Sequence, residues 1–352
     1  MTLHGAWAGL LWANVFFLSL SLGAAVFVAI QNLSSAGWPV AFRRVPEAMT
    51  AYLPVGAALT LLLLVGGRGA FPWAAPDAPR FPGASYLGLR LLAARTAVFF
   101  ACWIYFARRL SASFRRRGDA ADPAAARPAV RSSAAFLVVF AVTFSLFTVD
   151  WLMALEPGWT STVYPWFVFS GLFEGGMAAM TLLILGLRRR GAYLELNEHH
   201  LHNLGKYLFA FSVFWAYLWF CQYLLIWYAN IPEETVHYAL RTSPAWSPLF
   251  WLNPVVNFAA PFALLLSVRG KKSPAVLAGA CWVILAGHAL DLYLLVMPPL
   301  MGGKSLPEIS QIVLFVAAGG AFLTMFKRAW AKAPPMPLRD PYLEESLHFD
   351  GT

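Results

Sequence analysis

The sequence predicts an all-α polytopic membrane protein with about nine transmembrane helices. Nine long apolar stretches run through its 352 residues, hydrophobic residues make up 59% of the chain, and charged residues make up only 12%. The mean hydropathy is +0.61. Because a soluble domain carries about 25% charged residues, this composition excludes a soluble fold.

Each apolar stretch is long enough to cross a bilayer. The hydrocarbon core is about 30 Å thick, so a helix needs about 20 apolar residues to span it. Backbone polar groups inside lipid must pair within their own segment, which favours helices. The predicted spans are residues 6–33, 48–67, 86–109, 132–155, 163–187, 205–229, 248–268, 274–298 and 308–330.

The basic residues predict an orientation. If the spans alternate in direction, 20 of the 26 Lys and Arg residues fall on one side and five on the other, with Arg95 inside a span. Basic residues are enriched on the cytoplasmic side of membranes. We therefore expect a multi-pass protein of the bacterial inner membrane, with its N-terminus in the periplasm and its C-terminus in the cytoplasm.

The net charge of +9 does not indicate a nucleic-acid partner, because the charges are sorted by topology. The partner that they predict is the lipid membrane. Cys102, Cys221 and Cys281 lie within spans and form no Cys-x-x-Cys motif, so we expect no disulfide and no cysteine-held haem or cluster. Only His288 is clearly intramembrane, whereas two b-type haems need four axial histidines. The sequence thus predicts no metal site.

Two loops and the C-terminal tail are the longest polar segments. Residues 68–85 are rich in Pro, Gly and aromatics, and predict a packed periplasmic loop. Residues 111–131 are rich in Arg, Ala and Pro, and predict a flexible cytoplasmic loop. The tail is expected to lie along a partner or to be disordered.

A short repeat suggests the domain organisation. An Asp precedes a Pro by seven residues in spans four and eight, as Asp150 to Pro157 and Asp291 to Pro298. Seven residues are about 10 Å of helix, so both carboxylates are predicted at equal depth. Because the two spans are four apart, we predict tandem four-helix bundles and a peripheral last helix. The predicted units are residues 1–158, 159–300, 301–332 and the tail 333–352.

Five ionisable residues lie within the spans, namely Arg95, Asp150, Glu174, His288 and Asp291. A charge at the bilayer centre costs roughly 2.5–3.5 kcal/mol, so such residues are retained when they are paired or functional. Arg95 needs a counter-ion, and either Asp150 or Asp291 could provide it. The pair could be structural or functional.

His288 and Asp291 are three residues apart and share one helix face. A carboxylate there could orient the imidazole for proton transfer; the alternative is a neutral histidine bonded to the backbone. Glu174 lies in the small-residue run SGLFEGGMAA, which is typical of close helix contact. It could conduct protons or remain protonated and bond across helices.

The sixth span carries further candidates. Tyr217, Cys221, Leu224 and Tyr228 follow helical spacing and could line a cavity; the alternative is that such residues form hydrogen bonds between helices or are aromatics of the membrane interface. The start of this span holds polar residues without metal-ligand spacing, which predict a solvated helix start or a proton-collecting entry. These residues are His199, His200, His202, Asn203 and Lys206. The candidate proton path comprises Asp150, Glu174, His288, Asp291, His202 and Lys206.

Three runs of the sequence resemble one family. They are FRRVPEAMTAYLPVG (42–56), HNLGKYLFAFSVFWAYLWFCQYLLIWYANIPEET (202–235) and LDLYLLVMPP (290–299). They are similar to the NrfD/PsrC-like membrane subunit, of the ActF type, of alternative complex III, a bacterial quinol:cytochrome c oxidoreductase. The resemblance covers nearly the whole chain, and residues 222–235 are its most specific part. Family members usually have ten helices and begin inside, so the first family helix is expected to be missing here.

The resemblance implies two four-helix bundles in a complex of a respiratory or photosynthetic electron-transport chain. The expected partners are a sister NrfD-like subunit (ActC), a multihaem cytochrome c and an iron–sulfur periplasmic subunit, which would hold the haem c and the clusters. This chain is expected to bind no redox cofactor and to support proton translocation through its buried acids. Lipids and quinol or menaquinol are possible ligands.

Two alternatives remain open at this point. The chain could bind quinol directly near the periplasmic face, for which the candidate residues are Arg95, Asp150, Tyr223 and Asp291. It could instead be a secondary transporter with an internal repeat. The parallel direction of the repeat and the lack of a mid-helix break in spans four and eight disfavour transport.

Overall fold

The computed structural model describes residues 3–74, 86–120, 127–337 and 340–350. Within this part of the chain, nine helices are long and apolar enough to cross a membrane, which confirms the predicted fold class. We number them α1–α9 and name shorter helices by their residues. The bounds of the nine long helices are α1 Leu3–Leu33, α2 Val40–Gly66, α3 Leu89–Ala120, α4 Arg127–Trp151, α5 Tyr164–Arg188, α6 Glu198–Ala229, α7 Ser247–Leu265, α8 Pro274–Met301 and α9 Ile309–Trp330.

The ends of the helices form two faces. The N-terminal face holds the start of α1, where a ring nitrogen of His4 lies 2.9 Å from the carbonyl oxygen of Leu300 in α8. The short helix Pro232–Arg241 belongs to this face. The C-terminal face holds the short helix Val268–Lys272 and the tail. Which face lies in the periplasm stays a prediction.

Helix α1 is the centre of the structure. Helices α2, α4, α5, α8 and α9 pack on it, and nearly all of its residues are buried. Helices α1 to α4 each pack on the next, and α1 also packs on α4; α5 to α8 are arranged in the same way. The last helix, α9, packs on α1 and α2. The domain boundaries drawn from the sequence stay a prediction.

Glycines allow the central helices α1 and α5 to approach closely. A Cβ atom at Gly23 would lie 2.6 Å from the carbonyl oxygen of Leu172, and one at Gly176 would lie 2.9 Å from the Cα atom of Gly23. Any larger residue would push these helices apart. The close contact expected for the run SGLFEGGMAA is therefore present.

The loops and the tail differ from the predictions. Helix α3 continues to Ala120 and α4 begins at Arg127, so most of the loop predicted at 111–131 is helical. Residues 75–85 and 121–126 lie outside the described residues. The tail from 340 to 350 packs on the C-terminal face of its own chain, so the expectation of disorder is wrong for these residues, and contact with a partner stays a prediction. Its anchors are a hydrogen bond from Ser346 to the carbonyl of Trp38, 2.7 Å, and one from Asn197 to the carbonyl of Phe349, 2.6 Å.

Helices α7 and α8 contain internal prolines. In α7, Pro254 precedes a π-helical turn, Val255–Ala259. Helix α8 contains Pro298 and Pro299. Because proline has no N–H, each removes the hydrogen bond to the carbonyl four residues earlier. The carbonyls of α8 that lose this partner belong to Leu294 and Leu295.

The matched Asp residues do not occupy equivalent places in their helices. Asp150 lies one residue before the end of α4 at Trp151, and Pro157 lies beyond the helix. Asp291 lies ten residues before the end of α8 at Met301. The two Asp residues thus lie at different distances from the ends of their helices, and their equal depth in the membrane stays a prediction.

Candidate functional site

Arg95 and Asp150 form the ion pair that the sequence left open. Nε and Nη2 of Arg95 donate to the two carboxylate oxygens of Asp150 at 3.1 and 3.0 Å. Nη1 donates to the carbonyl of Tyr86, and the guanidinium lies 3.7 Å from the centre of the Tyr86 ring. Asp150 is fully buried, and the pair satisfies both of its oxygens. This geometry is that of a bidentate ion pair.

Asp291 lies in a separate network of neutral donors. Its Oδ1 accepts a hydrogen bond of 2.8 Å from Nδ2 of Asn253, and its Oδ2 accepts one of 3.2 Å from Nε1 of Trp215. Asn257 in turn donates to Oδ1 of Asn253 at 2.7 Å. Three helices, α6, α7 and α8, thus hold one buried carboxyl group. No ion pair joins Asp291 to Arg95 within the described residues.

The Asn253–Asn257 pair depends on the irregular part of α7. Asn253 precedes Pro254, and Asn257 lies within the π-helical turn; Nδ2 of Asn257 also donates to the carbonyl oxygen of Asn253 at 3.1 Å. A Cβ atom at Gly287 of α8 would lie 2.6 Å from Oδ1 of Asn257. Single π-turns are frequent at functional sites, and this one places two side-chain amides beside Asp291.

His288 does not bond to Asp291, although both face the same side of α8. Its Nε2 lies 2.7 Å from the hydroxyl of Ser19 in α1, and its Nδ1 makes no hydrogen bond within the described residues. The imidazole packs on two glycines of α5. A Cβ atom would lie 3.1 Å from Nδ1 at Gly171 and 2.7 Å from Cδ2 at Gly175. The expectation that Asp291 orients the imidazole is therefore wrong.

Glu174 occupies the same layer of the structure, between α5 and α6. It is 1% exposed, and its Oε1 accepts a hydrogen bond of 2.6 Å from the hydroxyl of Ser212. Ser212 and Trp215 are three residues apart and share one face of α6. Helix α6 therefore supplies a donor to each of the two buried acids, Glu174 and Asp291.

A small cavity connects Asp291 with the N-terminal face. Its volume is about 20 Å³, which suits a single water molecule. The space is too small for a quinone ring. Polar groups on its wall are Gln222, His237, Tyr238, Arg241, Asn253 and Asp291.

Beyond this cavity lies a buried cluster of Glu156, His237 and Arg241. Nη2 of Arg241 donates to Oε1 of Glu156 at 2.7 Å, and Nδ1 of His237 lies 3.0 Å from the same oxygen. Nη1 of Arg241 lies 2.9 Å from Nδ1 of His237. The Trp159 ring stacks on the imidazole with the ring centres 3.9 Å apart. A carboxylate, an imidazole and a guanidinium thus contact one another directly.

Burial and charge set the protonation of this cluster. Burial alone would raise the pKa of Glu156, but the charge of Arg241, with a smaller effect from His237, outweighs it and lowers the pKa to about 2. Burial, aided by Arg241, lowers the pKa of His237 to about 4, even though Glu156 opposes this change. At neutral pH the cluster therefore contains an ionised Glu156, a neutral His237 and a charged Arg241.

Arg241 also donates hydrogen bonds to backbone carbonyls of α8. Its Nε donates to the carbonyl of Leu294 at 2.9 Å, and its Nη2 lies 3.5 Å from the carbonyl of Leu295. These are the two carbonyls that lose their helical partners to Pro298 and Pro299. The guanidinium thereby fixes the Glu156–His237 cluster to the helix that carries Asp291. The sequence analysis missed this cluster.

The remaining predicted residues lie elsewhere. His202 and Lys206 lie near the C-terminal face, and no hydrogen bond within the described residues links them to Glu174. His200 is fully buried beside Asn197, so a solvated position is wrong for this residue. Tyr223 stacks on Trp219 with the ring centres 5.8 Å apart, and it is not among the hydrogen-bond or ring partners of the Arg95–Asp150 pair.

The predicted stripe of α6 does not line a cavity. Tyr217 is 61% exposed, Leu224 is 40% exposed and Tyr228 is 82% exposed, so these side chains point away from the protein. The inward face of α6 carries Ser212 and Trp215 instead. In a bilayer the exposed stripe would face lipid or another subunit.

Within the described residues, no group of three or more His, Cys, Asp and Glu side chains could hold a metal ion. Two buried carboxyl groups, Glu174 and Asp291, are held by neutral donors, and Asp291 and His237 both line the water-sized cavity. This arrangement suits proton transfer.

The family described as "Polysulphide reductase, NrfD" has a model that matches residues 3–301 of this chain. The match includes all the residues of the two buried networks. No curated protein matches the chain significantly.

Proposed function

The chain belongs to the polysulphide reductase NrfD family, and from this premise we propose that it is the non-haem membrane subunit of a quinol:cytochrome c oxidoreductase, alternative complex III. As a family member it is a membrane subunit of redox complexes. In the proposed complex the redox cofactors belong to partner subunits, and this chain supports proton translocation through its buried acids.

One observation supports this role above the others. Glu174 and Asp291 are buried and are held by a hydroxyl, an indole and an amide rather than by a cation in direct contact. Buried carboxyl groups are costly in a membrane and mark proton relays more often than scaffolding. Asp150, by contrast, has a full ionic partner in Arg95. We therefore assign proton transfer to Glu174, His288 and Asp291, and a structural role to Asp150.

The proposed route leads from the buried acids to the N-terminal face. From Asp291, a proton would cross the water-sized cavity and reach His237, which lies beside Glu156. We propose that this face lies in the periplasm, which agrees with the excess of basic residues on the opposite face. His202 and Lys206, on the basic face, are the proposed entry. Water would have to bridge the distance between them and Glu174.

The proposed partners follow from the family. NrfD-family proteins typically associate with other redox subunits in a membrane. We propose a sister NrfD-like subunit, a multihaem cytochrome c and an iron–sulfur subunit on the periplasmic side. The outward aromatic residues of α6, such as Tyr217 and Tyr228, provide a surface for a neighbouring subunit.

The test is the substitution Asp291→Asn in the assembled complex. The amide keeps the shape of the side chain and removes its exchangeable carboxyl proton, so we expect proton release coupled to quinol oxidation to fall by at least about tenfold. Proton release and cytochrome c reduction would be measured in proteoliposomes, and co-purification of the haem subunit would establish assembly. Glu195→Gln, which removes an exposed carboxylate, is the control. Unchanged stoichiometry with Asp291→Asn would remove Asp291 from the mechanism.

Direct quinol binding is the second candidate. A cleft of about 370 Å³ opens between Tyr86 and Trp159, and its volume is within the usual range of ligand sites. Glu156 reaches its wall but is ionised in an ion pair, and Arg95 and Tyr223 are not among the lining residues. If quinol binds here, Trp159→Ala would raise the KM for quinol and leave proton stoichiometry unchanged. Asp291→Asn is expected to lower the proton stoichiometry and to leave the KM for quinol unchanged.

A further inference from the structure

The C-terminal face contains a cleft that is lined by none of the proposed proton-transfer groups. It lies between α2, α3 and the end of α9, and its volume is about 320 Å³. Three basic side chains and one acid contribute to its wall, namely Arg44, Arg108, Lys332 and Glu47. Thr50 and Ser111 add hydroxyl groups. The cleft therefore carries an excess of positive charge.

The acid in this cleft is already neutralised. Nε of Arg43 lies 3.5 Å from Oε1 of Glu47, and Nη1 of Arg44 lies 4.0 Å from Oε2. Arg44 also donates to the carbonyl of Ala329 at the end of α9. These buried charges form the rigid base of the cleft, because the Arg44 guanidinium contacts both Glu47 of α2 and the Ala329 carbonyl of α9.

The two basic side chains at the rim of the cleft differ from Arg44 in exposure and in pairing. Arg108 and Lys332 are exposed, and no acidic side chain within the described residues pairs with either. Arg108 belongs to α3, and Lys332 follows α9 by two residues. Separate helices thus present two uncompensated charges to the same space. An anion bound between Arg108 and Lys332 would be attracted by both charges.

The rest of the wall is apolar. Ile104 and Ala107 of α3 and Leu53 and Pro54 of α2 continue the cleft along the helices toward the middle of the protein. Basic residues at the level of the membrane surface with an apolar continuation below them match the two parts of a phospholipid. A soluble anion would fill only the basic end.

We propose that this cleft binds an anionic phospholipid, with its phosphate between Arg108 and Lys332 and an acyl chain against Ile104 and Leu53. The lipid would join α3 to α9, two helices that belong to different parts of the fold. The shared chemistry is a phosphate, and a free phosphate ion is the competing source. The proposal is independent of the proton-transfer role.

The test compares lipid retention by the full chain purified in detergent. Native mass spectrometry would count phosphatidylglycerol and phosphatidylcholine bound after delipidation and re-addition of each lipid. We expect Arg108→Gln/Lys332→Gln to retain phosphatidylglycerol roughly tenfold less tightly than the wild type, because each basic residue contributes to attraction at the surface. Lys327→Gln/Arg328→Gln removes the same two charges from exposed positions outside the cleft and should behave as the wild type.

A charge-conserving variant and a competitor complete the test. Arg108→Lys/Lys332→Arg should restore retention, and phosphatidylcholine should be retained weakly by every variant. Equal retention of phosphatidylglycerol by the wild type and by Arg108→Gln/Lys332→Gln would overturn the proposal. Displacement of phosphatidylglycerol by millimolar inorganic phosphate would overturn the lipid assignment in favour of a soluble anion.

Discussion

A hydrogen bond of 2.7 Å joins the hydroxyl of Ser19 in α1 to Nε2 of His288 in α8. The same hydroxyl lies 2.6 Å from the carbonyl oxygen of Phe16 in its own helix. Nδ1 of His288 faces Gly171 and makes no hydrogen bond within the described residues. Ser19 thus holds one nitrogen of the imidazole and leaves the other available for proton exchange.

Ser19→Ala tests this contact. The substitution leaves the buried Nε2 of His288 without its hydrogen-bond partner, which costs about 1–3 kcal/mol. We expect a lower melting temperature and a loss of coupled proton release in the assembled complex. Ser21→Ala is the matched control, because Ser21 is equally buried but bonds only to the carbonyl of Phe17 in its own helix. Equal effects of the two substitutions would show that the hydroxyl does not fix the imidazole.

Gly175→Ala tests the packing of the imidazole on α5. The added methyl would lie 2.7 Å from Cδ2 of His288, so the helices must separate at a cost of about 1–3 kcal/mol. Thermal unfolding in detergent would measure the loss. Gly186→Ala in the same helix meets no atom within 4 Å and should leave stability unchanged or slightly higher. A Gly175→Ala protein as stable as Gly186→Ala would contradict the tight contact.

The buried His237 predicts a pH dependence of stability. Its pKa falls from 6.5 to about 4 on folding, so between these values the unfolded chain binds a proton that the folded chain does not. Stability should therefore decrease as the pH falls from about 6.5 to about 4, by at most about 3 kcal/mol. Glu156, whose pKa is lowered from 4.5 to about 2, adds a further loss below pH 4.5.

Melting temperatures between pH 7 and pH 4 would check this dependence. His237→Asn keeps an amide near the position of Nδ1 and should remove the decrease between pH 6.5 and pH 4.5. His348→Asn, on the exposed tail, should retain the wild-type curve. A His237→Asn protein with the full wild-type pH dependence would assign the effect to another group.

The Arg95–Asp150 pair predicts strong coupling between two residues. Asp150→Asn leaves the guanidinium without its anion and should destabilise the protein by about 3 kcal/mol, because breaking a buried pair costs more than removing it. Arg95→Gln/Asp150→Asn should recover much of that loss. A double-mutant cycle of unfolding free energies would measure the coupling. Additive effects of the two substitutions would show that the pair contributes nothing as a pair.

The sequence predicts the spans well because the thickness of the bilayer fixes their length. It predicts their ends less well, since a helix continues into water where its own hydrogen bonds persist. Helix α6 begins at Glu198, seven residues before the predicted span at 205, and α3 runs to Ala120. Arg95 was expected to have a carboxylate partner, but which one depends on how the helices pack.

Two errors have a common physical origin. The stripe through Tyr217 and Tyr228 has helical spacing, yet spacing identifies a face of a helix without showing which face is buried. In the same way, His288 and Asp291 share a face of α8 but bond to different neighbours, Ser19 and Asn253. Contacts between helices, rather than patterns along one helix, decide both cases.

The Glu156–His237–Arg241 cluster shows where sequence reasoning stops. Its members lie outside the predicted spans and are up to 85 residues apart, so no local pattern connects them. One signal was available, because Pro298 and Pro299 leave two carbonyls that need donors inside the protein. That signal predicts a donor near the end of α8 but does not identify it as Arg241.

The position of α1 has a consequence for biosynthesis. Helix α1 is synthesised before α2, α4, α5, α8 and α9, the helices that pack around it. It must therefore be stable as a helix in lipid until these neighbours are inserted, which its strongly apolar sequence permits. Ser19 and His288 can meet only when α8 has been inserted, so the contact between them forms late in assembly.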